Sequence, residues 1–262
     1  MSEARIQAGD LDESTRAALQ RLILTLADTK RLMGLRYSDW VLGAPSIETG
    51  IAASSMSQDE WGHARLLYAM LKGFGVTPSV IEHERPAAAY ASMDPLDGAF
   101  PDWAAVVAGM VVVDGAATTA LEAFSRGRFA PAASRVPKML AEEEFHASLG
   151  AAWYRRLAGA PEAVERLRAA TEVMLPATLA WVGASDAAAA ALADGGLTAA
   201  GPEILAAYRD RVRKLVAMAG VDVDAVAPAA TWDPARGRGP GAPEEEVVER
   251  ARGDRNRALL VE

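Results

Sequence analysis

Two four-residue segments of the chain each place a histidine three positions after a glutamate: Glu60-Trp61-Gly62-His63 and Glu143-Glu144-Phe145-His146. Residues i and i+3 lie on one face of a helix, so each segment offers a carboxylate and an imidazole to the same point. Iron and manganese bind well to these two groups. Either segment alone is more often an exposed helical pair. Because the two segments use two of the three histidines in the chain, they predict a metal site formed by Glu60, His63, Glu143 and His146.

A fifth ligand is predicted from an acid in an apolar surrounding. Asp114 follows three valines, 111–113, and precedes Gly115-Ala116-Ala117. An unpaired carboxylate buried there would cost several kcal/mol or shift its pKa strongly upwards. Coordination of a metal removes this penalty, although a protonated or salt-bridged core aspartate is the alternative. Asp114 is therefore predicted to join the metal site.

Helical periodicity and capping signals predict the elements that carry these residues. Ser14 to about Leu42 forms a first helix, which ends at Gly43-Ala44-Pro45. A second helix begins at Ser46, and residues 76–100, with several prolines, form a crossover. The later helices are predicted to run from Pro101 to Gly127, over Ala132–Ala158, from Pro161 with a kink at Pro176, over 187–193, over Pro202–Ala219 and near 244–258.

The pattern is typical of an all-α protein, and no segment alternates as a strand does. Paired Glu-x-x-His segments on two helices, with an acid from each of two others, are the ligand pattern of ferritin-like bundles. We therefore predict a ferritin-like four-helix bundle core with additional C-terminal helices. Residues 1–220 are assigned to the bundle, and residues 221–262 to a C-terminal loop and short helix that pack on the bundle or on a partner.

The first helix should supply the remaining acid, but its core positions place a lysine there. Counted by threes and fours, they are Leu19, Leu22 or Ile23, Leu26, Lys30, Met33 and Tyr37. Asp28 lies two residues away on a partly overlapping face and would supply a ligand if the helix were rotated or bulged. We expect Lys30 to face the site with Asp28 beside it. A lysine there could neutralise the acids in place of a metal, act as a neutral ligand or base, or swing away while Asp28 or water fills the position.

At these residues the chain resembles the phenylacetate catabolic family, the ferritin-like subunits of ring 1,2-phenylacetyl-CoA epoxidase. The segment from Trp40 through Ala44-Pro45 to Gln58-Asp59-Glu60-Trp61-Gly62-His63 resembles the W…A-P…Q-D-E-x-G-H segment of the catalytic subunit. Asp114-Gly115-Ala116-Ala117 resembles its D-G-A-A, and Glu143-Glu144-Phe145-His146 its second tetrad. The region around 22–45 is similar instead to the scaffold subunit. Lys30 falls where the catalytic subunit has its first-helix glutamate.

The resemblance implies a catalytic subunit that binds two iron ions and activates O2 to epoxidise an aromatic acyl-CoA thioester. For this chain it implies iron as the cofactor, two ions or one, with manganese as another possibility. It also implies a separate reductase that supplies electrons and a homo- or hetero-oligomer with another ferritin-like subunit. The leading hypothesis is such an oxygenase. The alternatives are a non-catalytic structural subunit with an incomplete metal site, metal storage, and a plain helical bundle.

Composition excludes several other classes. The net charge is −8 with acids and bases mixed along the chain, which argues against a nucleic-acid partner or an anionic membrane surface. The chain has no cysteine, so iron–sulfur clusters and thiolate chemistry are excluded. We find neither a signal-like N-terminus nor an uninterrupted apolar run of membrane-spanning length. The expected location is the cytoplasm.

Overall fold

The computed structural model of the protein describes residues 4–257 and 259. Within this part the chain is helical, with two isolated β-bridges and no strand. The α-helices are α1 Glu13–Ser38, α2 Ile47–Met70, α3 Pro78–His83, α4 Trp103–Gly109, α5 Gly115–Arg126, α6 Ala130–Ala158, α7 Pro161–Val182, α8 Ala187–Asp194, α9 Gly201–Val216, α10 Glu245–Arg252 and α11 Asp254–Arg257.

Side-chain caps fix where several helices begin. Asp12 accepts a hydrogen bond from the backbone N–H of Thr15 at the start of α1, and Ser46 accepts one from Thr49 at the start of α2. Such caps satisfy backbone donors that have no partner inside the helix. The first helix ends at Ser38, four residues before the predicted end at Leu42, and turns cover residues 39–43. The predicted restart at Ser46 is confirmed.

Four helical segments form the core of the molecule: α1, α2, α6 and the long segment Trp103–Arg126. The first two pack along each other, α2 also packs on α6, and α5 packs on both α1 and α6. Gly34 allows α1 to approach α2 closely, because a Cβ atom there would lie 2.6 Å from Nε1 of Trp61. The predicted all-α fold with a ferritin-like bundle is confirmed.

The segment Trp103–Arg126 is interrupted at its centre by one turn of π-helix, Met110–Asp114, between α4 and α5. A π turn is rare, is found mostly as a single-turn bulge inside α-helices, and often occurs at functional sites. Asp114, the last residue of the turn, is 2% exposed. The sequence prediction of a single regular helix from Pro101 to Gly127 misses this turn.

The remaining helices cover the bundle. Helix α7 packs on α4 and α6, α9 packs on α5, and α8 and α10 pack on α1. The crossover between α2 and α4 contains α3 and short 3₁₀ turns, as predicted. The predicted polar helix near 244–258 is divided into α10 and α11 at Gly253, which has a φ of 70°. The division into parts 1–220 and 221–262 stays a prediction.

Among the residues that the structure describes, one helical segment, Trp103–Arg126, is long and apolar enough to cross a membrane, and the bent pair α7–α8 passes the same test when taken together. In Trp103–Arg126, 94% of the most apolar 18-residue stretch is buried inside the bundle. The core helix of a globular bundle has the same composition, because it is apolar on all sides. Its apolar character is therefore accounted for by its place at the centre of the fold.

Candidate metal centre with a central lysine

The ammonium group of Lys30 lies at the centre of the predicted site. Its Nζ donates hydrogen bonds to Oε1 of Glu60 at 3.0 Å, Oδ1 of Asp114 at 2.7 Å and Oε1 of Glu143 at 2.5 Å. Lys30 and Glu60 are fully buried, and Asp114 and Glu143 are at most 2% exposed. An ammonium has three donors, so three carboxylates from α2, the π turn and α6 satisfy it completely.

Hydroxyl groups bind the remaining oxygens of two of these acids. The phenol of Tyr37, two turns after Lys30 on α1, donates to Oδ2 of Asp114 at 2.7 Å. Thr118 donates to Oε2 of Glu143 at 2.9 Å. The second oxygen of Glu60 is buried and has no hydrogen-bond partner among the described residues. The cluster is therefore a nearly closed polar network inside an apolar bundle.

Both predicted histidines reach the cluster through Nδ1. His63 Nδ1 lies 3.1 Å from Oε1 of Glu143, and His146 Nδ1 lies 3.3 Å from Oδ2 of Asp114 and 3.4 Å from Oε1 of Glu60. The fold therefore brings together all five predicted ligands. Four of them, Glu60, Asp114, Glu143 and His146, can each offer one ligand atom to a common point, and these four atoms lie within 4.8 Å of one another.

Two partly exposed acids bind the outer nitrogens of the histidines. Oε2 of Glu142 lies 2.8 Å from Nε2 of His63, and Oδ2 of Asp59 lies 3.4 Å from Nε2 of His146. The carboxylates of Glu142 and Asp59 are 35% and 31% exposed. They fix the imidazole orientations from the solvent side, as acids beside metal-binding histidines commonly do. Glu144, the other acid of that segment, is exposed.

Burial and mutual attraction shift the ionisation of the cluster. Burial lowers the pKa of Lys30, but Asp114, Glu143 and Glu60 offset this effect and raise the pKa well above its ordinary value. Burial and the charge of Asp114 raise the pKa of Glu60 to about 7. Burial lowers the pKa of His146, but its contacts with Asp114 and Glu60 raise it to about 11. Lys30 and His146 are therefore both positively charged at neutral pH.

These charges balance without any further ion. The three carboxyl groups of Glu60, Asp114 and Glu143 carry at most three negative charges, and Lys30 and His146 supply two positive charges. Burial lowers the pKa of His63, but its contact with Glu143 raises the pKa above the ordinary value, which favours a third positive charge. Buried charges are tolerated when they are paired and hydrogen-bonded. The cluster meets this condition with the side chains of the chain alone.

The same geometry fits a pair of metal ions poorly. Carboxylate oxygens that would bind metals already surround Nζ of Lys30 at 2.5–3.0 Å. A divalent ion beside a protonated ammonium would be repelled in a buried site. Metal binding would also have to displace the proton that Asp114 and Glu60 stabilise on His146. The acid and histidine group could hold a metal ion only if Lys30 lost its proton or left the centre.

Asp28 lies outside the cluster, in a second buried network on another face of α1. It accepts hydrogen bonds from the phenol of Tyr68 at 2.5 Å, from the backbone N–H of Ala91 at 2.8 Å and from the guanidinium of Arg85. These contacts attach the crossover segment to α1. The alternative in which Asp28 supplies a metal ligand therefore has no support in this arrangement.

Sequence reasoning missed two members of the cluster. Tyr37 was predicted as a core position of α1 without a role in the site, and Thr118 was not singled out. Spacing contains a signal for both: Tyr37 follows Lys30 by seven residues, and Thr118 follows Asp114 by four. Residues at these separations share a helix face.

Comparison with known protein families supports the family resemblance seen in the sequence. A bundle with this cluster at its centre has the architecture of the ferritin-like carboxylate proteins. The family model described as phenylacetic acid catabolic protein matches residues 4–250, and the chain belongs to this family. The match does not distinguish between the subunits that the family contains. A comparison with individually curated proteins gave no match.

Proposed function

We propose that this chain is a non-catalytic ferritin-like subunit of a multicomponent oxygenase in phenylacetate catabolism, with Lys30 occupying the place of the metal. One observation carries the proposal: Nζ of Lys30 lies within 3.0 Å of an oxygen from each of Glu60, Asp114 and Glu143. The positive charge that these acids require is supplied by the chain. Redox chemistry then belongs to a partner subunit.

The proposal assigns the other components to that partner. A metal-bearing subunit would bind iron, react with O2 and an aromatic acyl-CoA substrate, and receive electrons from a separate reductase. This chain would contribute its surface to a hetero-oligomer, in the cytoplasm. In support of an interaction role, Leu42 is 100% exposed, Ile47 81% and Ile51 65%. These three residues line one shallow depression at the start of α2, and exposed apolar patches often mark interaction sites.

The metal content of the purified protein tests the proposal. After growth in medium supplemented with iron and manganese, we expect the wild type to contain far less than one metal ion per chain. Lys30→Glu replaces the ammonium with the carboxylate that a dimetal site needs, so this variant should retain metal, up to about two ions per chain. Lys138→Glu, at an exposed position of α6, serves as the control and should remain metal-poor.

Because Lys30→Glu adds a fourth buried acid, its melting temperature should be measured with and without metal. We expect the variant to be stabilised by iron or manganese, as binding to the folded state requires. The wild type should show no such stabilisation. About two iron ions bound stoichiometrically to the wild type would overturn the proposal.

A second candidate is the O2-activating dimetal oxygenase itself, with iron or manganese bound by Glu60, His63, Asp114, Glu143 and His146. It is favoured by the closeness of four of these residues, whose ligand atoms lie within 4.8 Å of one another. Alanine at both His63 and His146 separates the candidates. It should abolish turnover of the assembled complex if this chain holds the metal. Turnover per assembled complex should stay intact if the chain is the structural subunit.

A further inference from the structure

A cavity of about 190 Å³ lies between the π turn, α6 and α9. Six apolar residues form most of its wall, namely Met110, Val111, Ala147, Ala151, Val212 and Leu215. Protein interiors contain few voids larger than a water molecule. An engineered apolar cavity of roughly 150 Å³ admits benzene, so this cavity is large enough for a compact organic ligand.

Small residues on two of the helices create this space. Gly115 at the start of α5 and Ala147 and Ala151 on α6 lie at the wall, where larger side chains would fill it. A Cβ atom on Gly115 would contact Cδ of Arg211 at 3.7 Å and Cγ1 of Val212 at 3.9 Å, which are ordinary distances. Alanine is therefore sterically allowed at position 115. Steric clashes therefore do not explain why position 115 has no side chain.

The polar groups of the cavity lie at its two ends, one buried and one open to solvent. The carboxylates of Asp114 and Glu143, with exposures of 2% and 1%, lie at the buried end, together with Thr118. Arg211, whose side chain is 30% exposed, lies at the solvent end. Lys30 and His146 already pair with these two acids, so the buried end offers no free cation to an anion. An anionic group on a ligand is therefore directed to Arg211.

Arg211 is held in position by neighbours on α5 and keeps capacity for a ligand. Its Nε donates to Oγ1 of Thr119 at 3.0 Å, and its Nη2 donates to a carboxylate oxygen of Glu122. A guanidinium has about five N–H donors and pairs well with carboxylates. These two contacts use only part of that capacity.

From this arrangement we propose that the cavity is a binding site for a small organic monocarboxylate with a compact apolar body. The apolar body lies between α6, α9 and the π turn, and the carboxylate binds Arg211 at the mouth. This site is separate from the proposed structural role, because it requires neither a metal nor a partner subunit. Occupancy would place the apolar body against Glu143 and Thr118 of the buried cluster.

Binding of three benzene derivatives to the full chain tests the proposal. Benzoate has the required carboxylate, benzyl alcohol is neutral, and benzylamine has the opposite charge. By isothermal titration calorimetry we expect benzoate to bind, benzyl alcohol to bind more weakly and benzylamine not to bind. Equal binding of benzoate and benzylamine, or no binding of benzoate, would overturn the proposal.

Two glycine substitutions locate the site. Gly115→Ala adds a methyl group at the cavity wall, and a misfit of one carbon in an apolar pocket weakens binding by roughly tenfold or more. Gly62→Ala is the matched control, since Gly62 is exposed on α2 and a Cβ atom there meets nothing within 4 Å. Both variants should fold, because alanine is the better helix former. Unchanged benzoate affinity in Gly115→Ala would exclude this cavity.

Arg211→Gln tests the anchor separately. This variant should lose most of the benzoate affinity while its weak affinity for benzyl alcohol stays the same. If both affinities stayed the same, Arg211 would not be the anchor and the proposed ligand class would be wrong. The metal content of the wild type does not enter these measurements. Failure here is therefore distinguishable from failure of the proposed structural role.

Discussion

Lys30 determines the chemistry of the buried site because three acids depend on its charge. If one member of a buried ion pair is removed, the other is left as an uncompensated charge, which is strongly destabilising. Here one ammonium serves Glu60, Asp114 and Glu143 together. The stability of the bundle and the ionisation of its centre therefore depend on the same side chain.

Lys30→Met tests this dependence. The variant keeps most of the apolar stem and removes the charge, and we expect it to lose about 3–5 kcal/mol of unfolding free energy. Urea denaturation at neutral pH provides the measurement. Lys138→Met is the control, since the pair of Lys138 with Glu142 is largely exposed and should contribute roughly 0–1 kcal/mol. A Lys30→Met protein as stable as the wild type would mean that the acids are neutralised in another way.

The identity of the site residues could be predicted from the sequence, but their contacts could not. Spacing by three and four placed Lys30, Glu60, His63, Glu143 and His146 on inward faces, and the apolar surroundings of Asp114 added that acid. The structure brings all six residues together. The position of Asp28 was less certain, because α1 is buried on nearly all sides from Thr25 to Tyr37. A helix that is buried on all sides has no exposed polar face, so its sequence pattern does not show which of its residues point toward the site. Only the packing of the crossover shows where Asp28 points.

At the scale of elements, the bounds of the helices follow from caps and breakers, and the errors have local causes. Ser46 was correctly identified as the start of α2, because a serine cap acts within its own first turn. The π turn at Met110–Asp114 was missed, since the apolar pattern there is uniform and contains no signal of an extra residue in one turn. The turn packs on α6 and α7, and its Val112 carbonyl accepts a hydrogen bond from Tyr208 of α9 at 3.0 Å, so its partners lie outside its own stretch of sequence.

Asp186 connects three elements and gives an element-scale prediction. It caps α8 through the N–H of Ala189, pairs with Arg21 of α1 at 2.9 Å and accepts from Nε1 of Trp232 at 3.0 Å. Burial raises the pKa of Asp186, but the hydrogen bonds from Arg21, Ala189 and Trp232 offset this effect and lower the pKa below its ordinary value. Because the folded-state pKa is depressed, this stabilisation is present above the pKa of the unfolded chain and is lost as the pH falls.

Asp186→Asn replaces the carboxylate with an amide, whose oxygen can still accept the capping hydrogen bond from Ala189, and it removes the charge. The unfolding free energy of the wild type should fall more steeply than that of the variant between about pH 5 and pH 3. Asp194→Asn, at an exposed position in the last turn of the same helix, is the control and should follow the wild type. Parallel curves for Asp186→Asn and the wild type would show that the ion pair does not stabilise the fold. Chemical denaturation at several pH values gives the curves.

At the scale of the whole molecule, the C-terminal part of the chain is tied to the crossover by buried charges. Arg238 is fully buried and donates to Oγ of Ser92 at 3.2 Å, to Asp94 at 3.1 Å and to Asp97 at 2.5 Å. The sequence predicted that residues 221–262 form a loop and short helix packed on the bundle or on a partner. Within that part, Arg238 contacts the crossover, which no local pattern could indicate because Asp94 and Asp97 lie over 140 positions away.

Arg238→Met should release this loop. Loss of the guanidinium leaves Asp94 and Asp97 without their buried partner, so residues 229–243 should open locally more often. Limited proteolysis should then cut this region faster than in the wild type, while α1 to α7 stay intact. Arg255→Met changes an arginine that is 74% exposed and should leave the cleavage rate unchanged. Equal rates for both variants would show that other contacts hold the loop.

The central lysine also bears on how such a subunit matures. In a bundle whose buried acids wait for iron, the last step of folding depends on the supply of that element in the cell. Here the compensating cation is synthesised as part of the polypeptide, at residue 30. The interior is complete as soon as α1, α2, α5 and α6 have assembled. If the chain has the proposed structural role, its surface is then ready for an iron-dependent partner even under starvation for iron.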